Sequence, residues 1–239
     1  MKLQGQTALV TGANRGLGAH LVQELLAAGV LKLYATARDA RTLAEVARAD
    51  SRVVALDLDV VDPESVAAAV QAAPDVTVLV NNAGVLAFGD VLTGDVEGFQ
   101  RDMATNYFGT LNMCRAFVPL LERNGPGAIA NVLTLIALAP VAPMAGYCAS
   151  KAAAHSMTQA LRAAVATRGI EVLGAYPGGI DTDMLAGVDA DKAAPAVVAS
   201  RIIAALNDGE SLVFPDDASA GAGAVYLSDP VALERLLAG

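Results

Sequence analysis

Short β-branched runs alternate with longer Ala- and Leu-rich segments along the whole chain. The short runs lie near residues 7–11, 32–37, 52–57, 76–81, 128–134, 170–176 and 211–214. Their length, and the Gly, Asp, Asn or Pro that bounds them, suit strands rather than helices. Thr77-Val78-Leu79-Val80 shows no polar alternation, as a parallel strand covered on both faces requires. Apolar positions recur at helical spacing near 17–28, 40–48, 63–72, 97–123, 147–168 and 193–207, with a weak final helix near 229–237. This alternation predicts βαβ units, hence an α/β, doubly wound, mostly parallel sheet of seven strands with helices on both faces. No Pro/Gly/Ser-rich linker separates the periodic segments, so residues 1–239 are expected to form one domain.

Composition narrows the function classes. Hydrophobic residues make up 54% of the chain and charged residues 17%, which excludes disorder and implies a large core. With no Trp and few aromatics, that core is aliphatic. The balance of 25 acidic against 16 basic residues gives a net charge of −9 with no dense basic block, so no nucleic-acid or anionic-membrane partner is expected. Residues 125–150 carry no charge, but Asn131, Thr134, Pro140 and Pro143 interrupt them. A buried strand followed by a loop fits better than a membrane span, which needs about 20 mainly apolar residues. Cys114 and Cys148 make neither a disulfide framework nor a metal set, and read as buried thiols of a reducing compartment. Met1 to Gln6 lead directly into the first apolar run without a leader pattern, so a cytoplasmic protein is expected.

Candidate chemistry begins at the end of the first strand, in Thr11-Gly12-Ala13-Asn14-Arg15-Gly16-Leu17-Gly18. Glycines between a strand and a helix let the main chain turn tightly and approach a pyrophosphate, whose charge then sits at the helix N-terminus. The residue that discriminates between dinucleotides is expected about 20 positions further on, which reaches Arg38. An Arg there offers fork-like bonds to a 2′-phosphate and favours NADP(H). The alternative is a solvated Arg38, with Asp39 taking the ribose. Asp59-Val60 and Asn82-Ala83-Gly84 follow the third and fourth strands, at the edge where open α/β sheets bind ligands. Asn106 lies within the long helical pattern, where a short amide is a mediocre helix former and either faces solvent or caps a bend.

Tyr147 and Lys151 stand four apart at the head of an Ala-rich helix, so they share a face with Cβ atoms roughly 5–6 Å apart. The adjacent ammonium and the helix N-terminus would both lower the phenol pKa from its usual value near ~10. A surface Tyr and Lys on an amphipathic helix is the plainer reading.

Thr11-Gly12-x-x-x-Gly16-x-Gly18, Asn81-Asn82-Ala83-Gly84, Asn106, Tyr147-x-x-x-Lys151 and Pro177-Gly178-x-x-x-Thr182 fall in the order and spacing of the short-chain dehydrogenase/reductase family. The resemblance spans residues from about 3 to 215 and implies a Rossmann-type domain, its dinucleotide half about 1–135 and its catalytic half about 136–239. It implies that Tyr147 donates a proton to a substrate carbonyl, that Lys151 holds the nicotinamide ribose, and that Asn106 anchors a water linking Lys151 to solvent. It further implies that Gly12, Asn14, Arg15, Gly16, Leu17 and Gly18 line the cofactor phosphates. Asp59 and Val60 would lie at the adenine, with Asn82, Ala83 and Gly84 along the adenosine side. Pro177, Gly178, Ile180 and Thr182 would face the nicotinamide.

One position departs from the family pattern: Thr134 stands 13 residues before the tyrosine, where the family has Ser. Its hydroxyl can still donate to a substrate oxygen, while its methyl restricts the rotamer and takes space. The expected function is therefore NADPH-dependent reduction of a small ketone or aldehyde, without a metal. A 3-oxoacyl-thioester reductase and a non-catalytic NADP(H)-binding protein are the alternatives. Helix 97–123 is apolar nearly all round its later turns, so a second covering layer is needed. By the resemblance, a homodimer or homotetramer packs there; alternatively residues 216–239 fold over it.

Overall fold

A computed structural model describes residues 1–238. Seven strands form one sheet: β1 (Thr7–Val10), β2 (Lys32–Ala37), β3 (Val53–Asp57), β4 (Val78–Asn81), β5 (Gly127–Val132), β6 (Ile170–Ala175) and β7 (Leu212–Val213). Their order is β3-β2-β1-β4-β5-β6-β7 and every strand pairing is parallel. The sheet is thus more uniform than the mostly parallel one expected. Successive residues point to opposite faces, and both faces are apolar. Ala8, Val10, Val78, Val80, Ala128 and Ala130 pack with helices α1 (Gly16–Ala27) and α7 (Pro195–Asn207) on one side. Leu9, Leu79 and Ile129 pack with Val66 and Ala69 of α3 (Pro63–Ala72) and with Phe117 and Leu121 on the other. A shorter helix, α2 (Ala44–Ala49), precedes β3. None of the described helices is long and apolar enough to cross a membrane.

The strand order reverses between β1 and β4, and the carboxyl ends of these two strands are locked together. Thr11 Oγ1 accepts the main-chain N–H groups of Asn82 and Ala83, each at 2.9 Å. Asn82 Nδ2 donates to the carbonyls of Thr11 and Gly12, each at 3.0 Å. Next door, Asn81 Nδ2 donates to Asn131 Oδ1 and Asn131 Nδ2 to Thr158 Oγ1, both at 2.9 Å. Buried amides placed this way fix the ends of β4 and β5 relative to each other, because breaking one strands a desolvated partner.

The helix expected over 97–123 is interrupted. It runs as α4 (Val96–Asp102), a π-helical turn (Met103–Gly109) and α5 (Thr110–Asn124). Asn106 lies inside the wide turn and is fully buried, so the solvent-facing alternative is wrong. After it comes α6 (Ala145–Val165), which carries Tyr147 and Lys151.

The C-terminal segment holds two helices rather than one weak one: α8 (Asp217–Ser228) and α9 (Pro230–Ala238). Glycines at 221 and 223 hid α8. Gly223 is required by packing, since a Cβ there would lie 2.5 Å from the Phe214 ring. Ala222 and Leu233 cluster with Leu135 and Ala139, over the loop that follows β5. That cluster includes no residue of 97–123.

Asp216 joins these helices to the sheet. Its buried carboxylate accepts from the N–H and hydroxyl of Ser219, each at 2.8 Å, and from Gly178 N–H at 2.8 Å. One side chain therefore caps α8 and holds the turn after β6. Asp216→Ala is expected to lower unfolding free energy by about 1–3 kcal/mol, measured by chemical denaturation, with Asp216→Asn recovering part of the loss. Wild-type stability in the Ala variant would show that the cap is idle.

Candidate active site

The head of α6 is buried because α4 comes unusually close to it. A Cβ on Gly146 would lie 2.2 Å from Phe99 Cδ1, so only glycine permits the contact. Tyr147 and Lys151 are 9% and 5% exposed, which rules out the surface-pair reading. Lys151 Nζ donates to the Val132 carbonyl, at the end of β5, at 2.8 Å, and sits 5.9 Å from the centre of the Tyr147 ring. A Cβ on Gly84 would lie 3.1 Å from Asn106 Oδ1, so the glycine after β4 lets the chain pass close to that amide.

Electrostatics in this site run opposite to the sequence expectation. Burial pushes the Tyr147 phenol above its ordinary value, helped by Cys148 and Asp102. Burial also lowers Lys151 to about 8, partly opposed by the Asp102 carboxylate. Sequence reveals the charged neighbour and the helix end but not the desolvation, which dominates here. At neutral pH the phenol keeps its proton, the form a proton donor needs.

Asn106 is fully committed inside the protein. Its Oδ1 accepts Val85 N–H, and its Nδ2 donates to the Val85 carbonyl and to Ser150 Oγ, all at 2.9 Å. Ser150 Oγ in turn donates to the Tyr147 carbonyl at 2.7 Å. Thr134 is buried at the end of the loop after β5, and its hydroxyl donates to the Pro177 carbonyl at 3.3 Å. Sequence reading overlooked Ser150 and also Asp102, which is 1% exposed and four residues before Asn106. The spacing Asp-x-x-x-Asn on one helix face was the available signal.

The glycine turn has the shape that close main-chain approach demands. Gly12 and Gly16 have φ of 64° and 51°, which other residues rarely adopt. A Cβ on Gly18 would lie 2.0 Å from the Gly12 carbonyl. Arg15 precedes α1 in extended conformation, and Asn14 and Arg15 are exposed. The segment after β6 reaches back to this turn: a Cβ on Gly16 would lie 3.2 Å from Thr182 Cγ2, and Arg15 Nη1 lies 3.3 Å from Asp183 Oδ2. Pro177, Gly178 and Ile180 occupy that same segment, Ile180 bridged to Ala193.

Arg38 follows β2 directly and is exposed, at an open concavity it shares with Asp39, Ala40, Arg41 and Asp57. Asp39 is already engaged, accepting from Arg41 Nε at 2.9 Å, Arg41 Nη2 at 2.8 Å and Arg41 N–H at 3.0 Å. Asp59 accepts Val61 N–H at 3.0 Å, and Val60 is buried against Gly109, where a Cβ would meet its Cγ2 at 2.5 Å. Cys114 and Cys148 are free and buried, and burial raises both thiols, Cys114 to about 12.

Together these features define a doubly wound α/β protein whose glycine turn, built for a dinucleotide phosphate, opens beside a buried Tyr–Lys pair. Residues 6–193 match the short chain dehydrogenase family. The chain is 32% identical over 197 residues to the 2,5-dichloro-2,5-cyclohexadiene-1,4-diol dehydrogenase LinX of Sphingobium indicum, covering 80% of this chain and 79% of that one. It is 34% identical over 190 residues to galactitol 2-dehydrogenase (L-tagatose-forming) of Cereibacter sphaeroides, covering 77% and 74%. A short chain dehydrogenase from Burkholderia cenocepacia, solved in complex with NADP, superposes with a TM-score of 0.93 at 41% identity over 99% of both chains. This chain belongs to the short-chain dehydrogenase/reductase family and is an oxidoreductase.

Proposed function

We propose that the protein reduces a ketone or aldehyde with NADPH, and that the buried, protonated phenol of Tyr147 beside Lys151 is the observation that carries this reading. NADP(H) fits the residues present. Gly12 and Gly16 take positive φ and Gly18 packs directly against the Gly12 carbonyl, the tight turn that a pyrophosphate-binding loop needs, and α1 follows it with its N-terminus, which favours phosphate. Arg38 is free to meet a 2′-phosphate while Asp39 is held by Arg41, and the Burkholderia cenocepacia relative is itself an NADP complex. Bound there, the dinucleotide supplies the hydride.

The chain supplies orientation and the proton. Tyr147 gives its phenolic proton to the oxygen of the carbonyl being reduced. Lys151, kept in place by the Val132 carbonyl, presents its ammonium to the ribose and stabilises the phenolate that remains. Thr134 turns its hydroxyl from Pro177 to the substrate oxygen and so supports the developing alkoxide. Asn106 fixes Val85 and Ser150 around this pair. The dinucleotide half, about 1–135, and the catalytic half, about 136–239, meet where β5 pairs with β6. Two free cysteines suit a cytoplasmic setting.

A homodimer or homotetramer completes the reading. Phe108 is 50% exposed, and Ala149, Ala152, Ser156, Ala160 and Ala163 form an exposed small-residue face on α6. Sedimentation at micromolar concentration is expected to give at least a dimer; a monomer would contradict this part alone.

Two substitutions test the chemistry. Tyr147→Phe should cut NADPH-dependent ketone reduction by ~10²–10⁴-fold while NADPH still binds; equal rates would defeat the reductase reading. Arg38→Ala should raise the KM for NADPH about tenfold or more, as loss of a charge-assisted bond of ~1.5–3 kcal/mol does, with little change for NADH. An unchanged KM for NADPH would remove Arg38 from the site.

A further inference from the structure

The wall of the site, residues 84–89, is fastened at alternate positions to the π-helical turn, to α4 and to the head of α6 with the segment just before it. Asn106 holds both main-chain groups of Val85. One turn earlier, Asp102 accepts Ala87 N–H with both oxygens, at 3.1 and 3.2 Å. Gly89 completes the series, its N–H bonded to the Pro143 carbonyl at 2.8 Å and its carbonyl accepting Ala145 N–H at 3.0 Å. Asp102 is the unexpected member, because a main-chain N–H can be satisfied by a neutral amide and a 1%-exposed carboxylate is costly. Nothing in the proton-donor reading uses it.

Its surroundings explain the charge. α6 packs against α4, and its Tyr147, Cys148 and Lys151 lie within electrostatic reach of Asp102, Lys151 being the only cation among these three. The 85–89 segment, Val-Leu-Ala-Phe-Gly, has no titratable group. On its own helix, Arg101 is the near cation, and it also lies 3.7 Å from Asp95; Glu97 is exposed. We propose that Asp102 is a positioning residue of the active site, whose buried carboxylate pins the 85–89 wall through Ala87 and sets a negative charge at the packed seam of α4 and α6, the helix that carries Lys151. Desolvation raises this carboxyl to about 6, opposed first by the Ala87 hydrogen bond and then by the charges of Arg101 and Lys151. Its anion in turn raises Lys151, Tyr147 and Cys148. The sign follows. Above pH ~6 the anion is present and supports the Lys151 charge; below that pH it fades, where Lys151 is charged in any case.

The chain has four lysines, Lys2, Lys32, Lys151 and Lys192, so ¹³Cε-labelled lysine gives a readable set of resonances, with Lys151→Arg assigning the one of interest. In wild type the Lys151 signal should show a second inflection near pH ~6 as Asp102 ionises. In Asp102→Asn that inflection should vanish, and near pH ~8 the charged-to-neutral ratio of Lys151 should fall about three- to tenfold. A Lys151 signal without the inflection in wild type overturns the proposal even if the variant does not fold. So does an identical Lys151 titration in the two proteins. The kinetic counterpart rests on the reductase reading, whereas the lysine titration does not, so a chain that reduces no carbonyl leaves the titration decisive. For kcat/KM with NADPH, Asp102→Asn should match wild type within about twofold near pH ~5.5 and lag about three- to tenfold near pH ~8.5. A deficit of the same size at both pH values would mean a purely structural Asp102 and would overturn the proposal. Asp102→Leu, which also loses the Ala87 acceptor, should be slower than Asp102→Asn at every pH.

Discussion

Keeping a lysine ammonium out of water beside a phenol is the constraint on which the rest of this structure depends. Among the described residues Lys151 has a single hydrogen-bond partner, the Val132 carbonyl, and desolvation works against its charge. Gly146 admits α4 against α6, Gly84 lets the chain after β4 pass close to Asn106, and Asn106 and Ser150 set the first turns of α6. Each of these serves to hold two side chains that would otherwise turn toward solvent. The same desolvation that costs Lys151 charge preserves the proton on Tyr147. A protonated acid next to a cation is the starting state for protonating an alkoxide as it forms.

The sheet delivers that pair to the dinucleotide edge. Reversal of strand order between β1 and β4 opens a crevice at their carboxyl ends. Thr11 and Asn82 tie the two ends, and Asn81 and Asn131 carry the connection to β5 and α6. These bonds tie the glycine turn, the ends of β4 and β5, and α6 to one another. The segment after β6 closes the remaining side, held by Asp216 at Gly178 and touching the glycine turn at Thr182. C-terminal helices α8 and α9 thus reach the site through one buried carboxylate.

Much of this was legible in the sequence, for reasons that the structure makes plain. Parallel strands covered on both faces read as uninterrupted apolar runs, so all seven strands were found, although β5 ends at Val132 rather than 134. Glycines forced by positive φ or by close approach, such as Gly12 and Gly18, announced the turn. Features lacking a periodic or compositional mark stayed hidden. The π-helical turn changes spacing by too little to register in a pattern of apolar positions. In α8, glycines at 221 and 223 look like breaks, yet Gly223 is there for the Phe214 ring. The direction of the Tyr147 shift needed burial, a tertiary quantity. A single acid in a helical segment reads alike whether it is exposed, as Glu97 is, or buried, as Asp102 is.

The central claim is that this site sends a hydride to a carbonyl carbon and a phenolic proton to its oxygen. Incubation of the protein with NADPH deuterated at the transferable position and a small ketone, followed by NMR of the alcohol, tests it most directly. Deuterium on the carbinol carbon, in one stereochemical sense, is the predicted result. Alcohol formed without deuterium at that carbon, or no alcohol from any small ketone or aldehyde, would contradict the account.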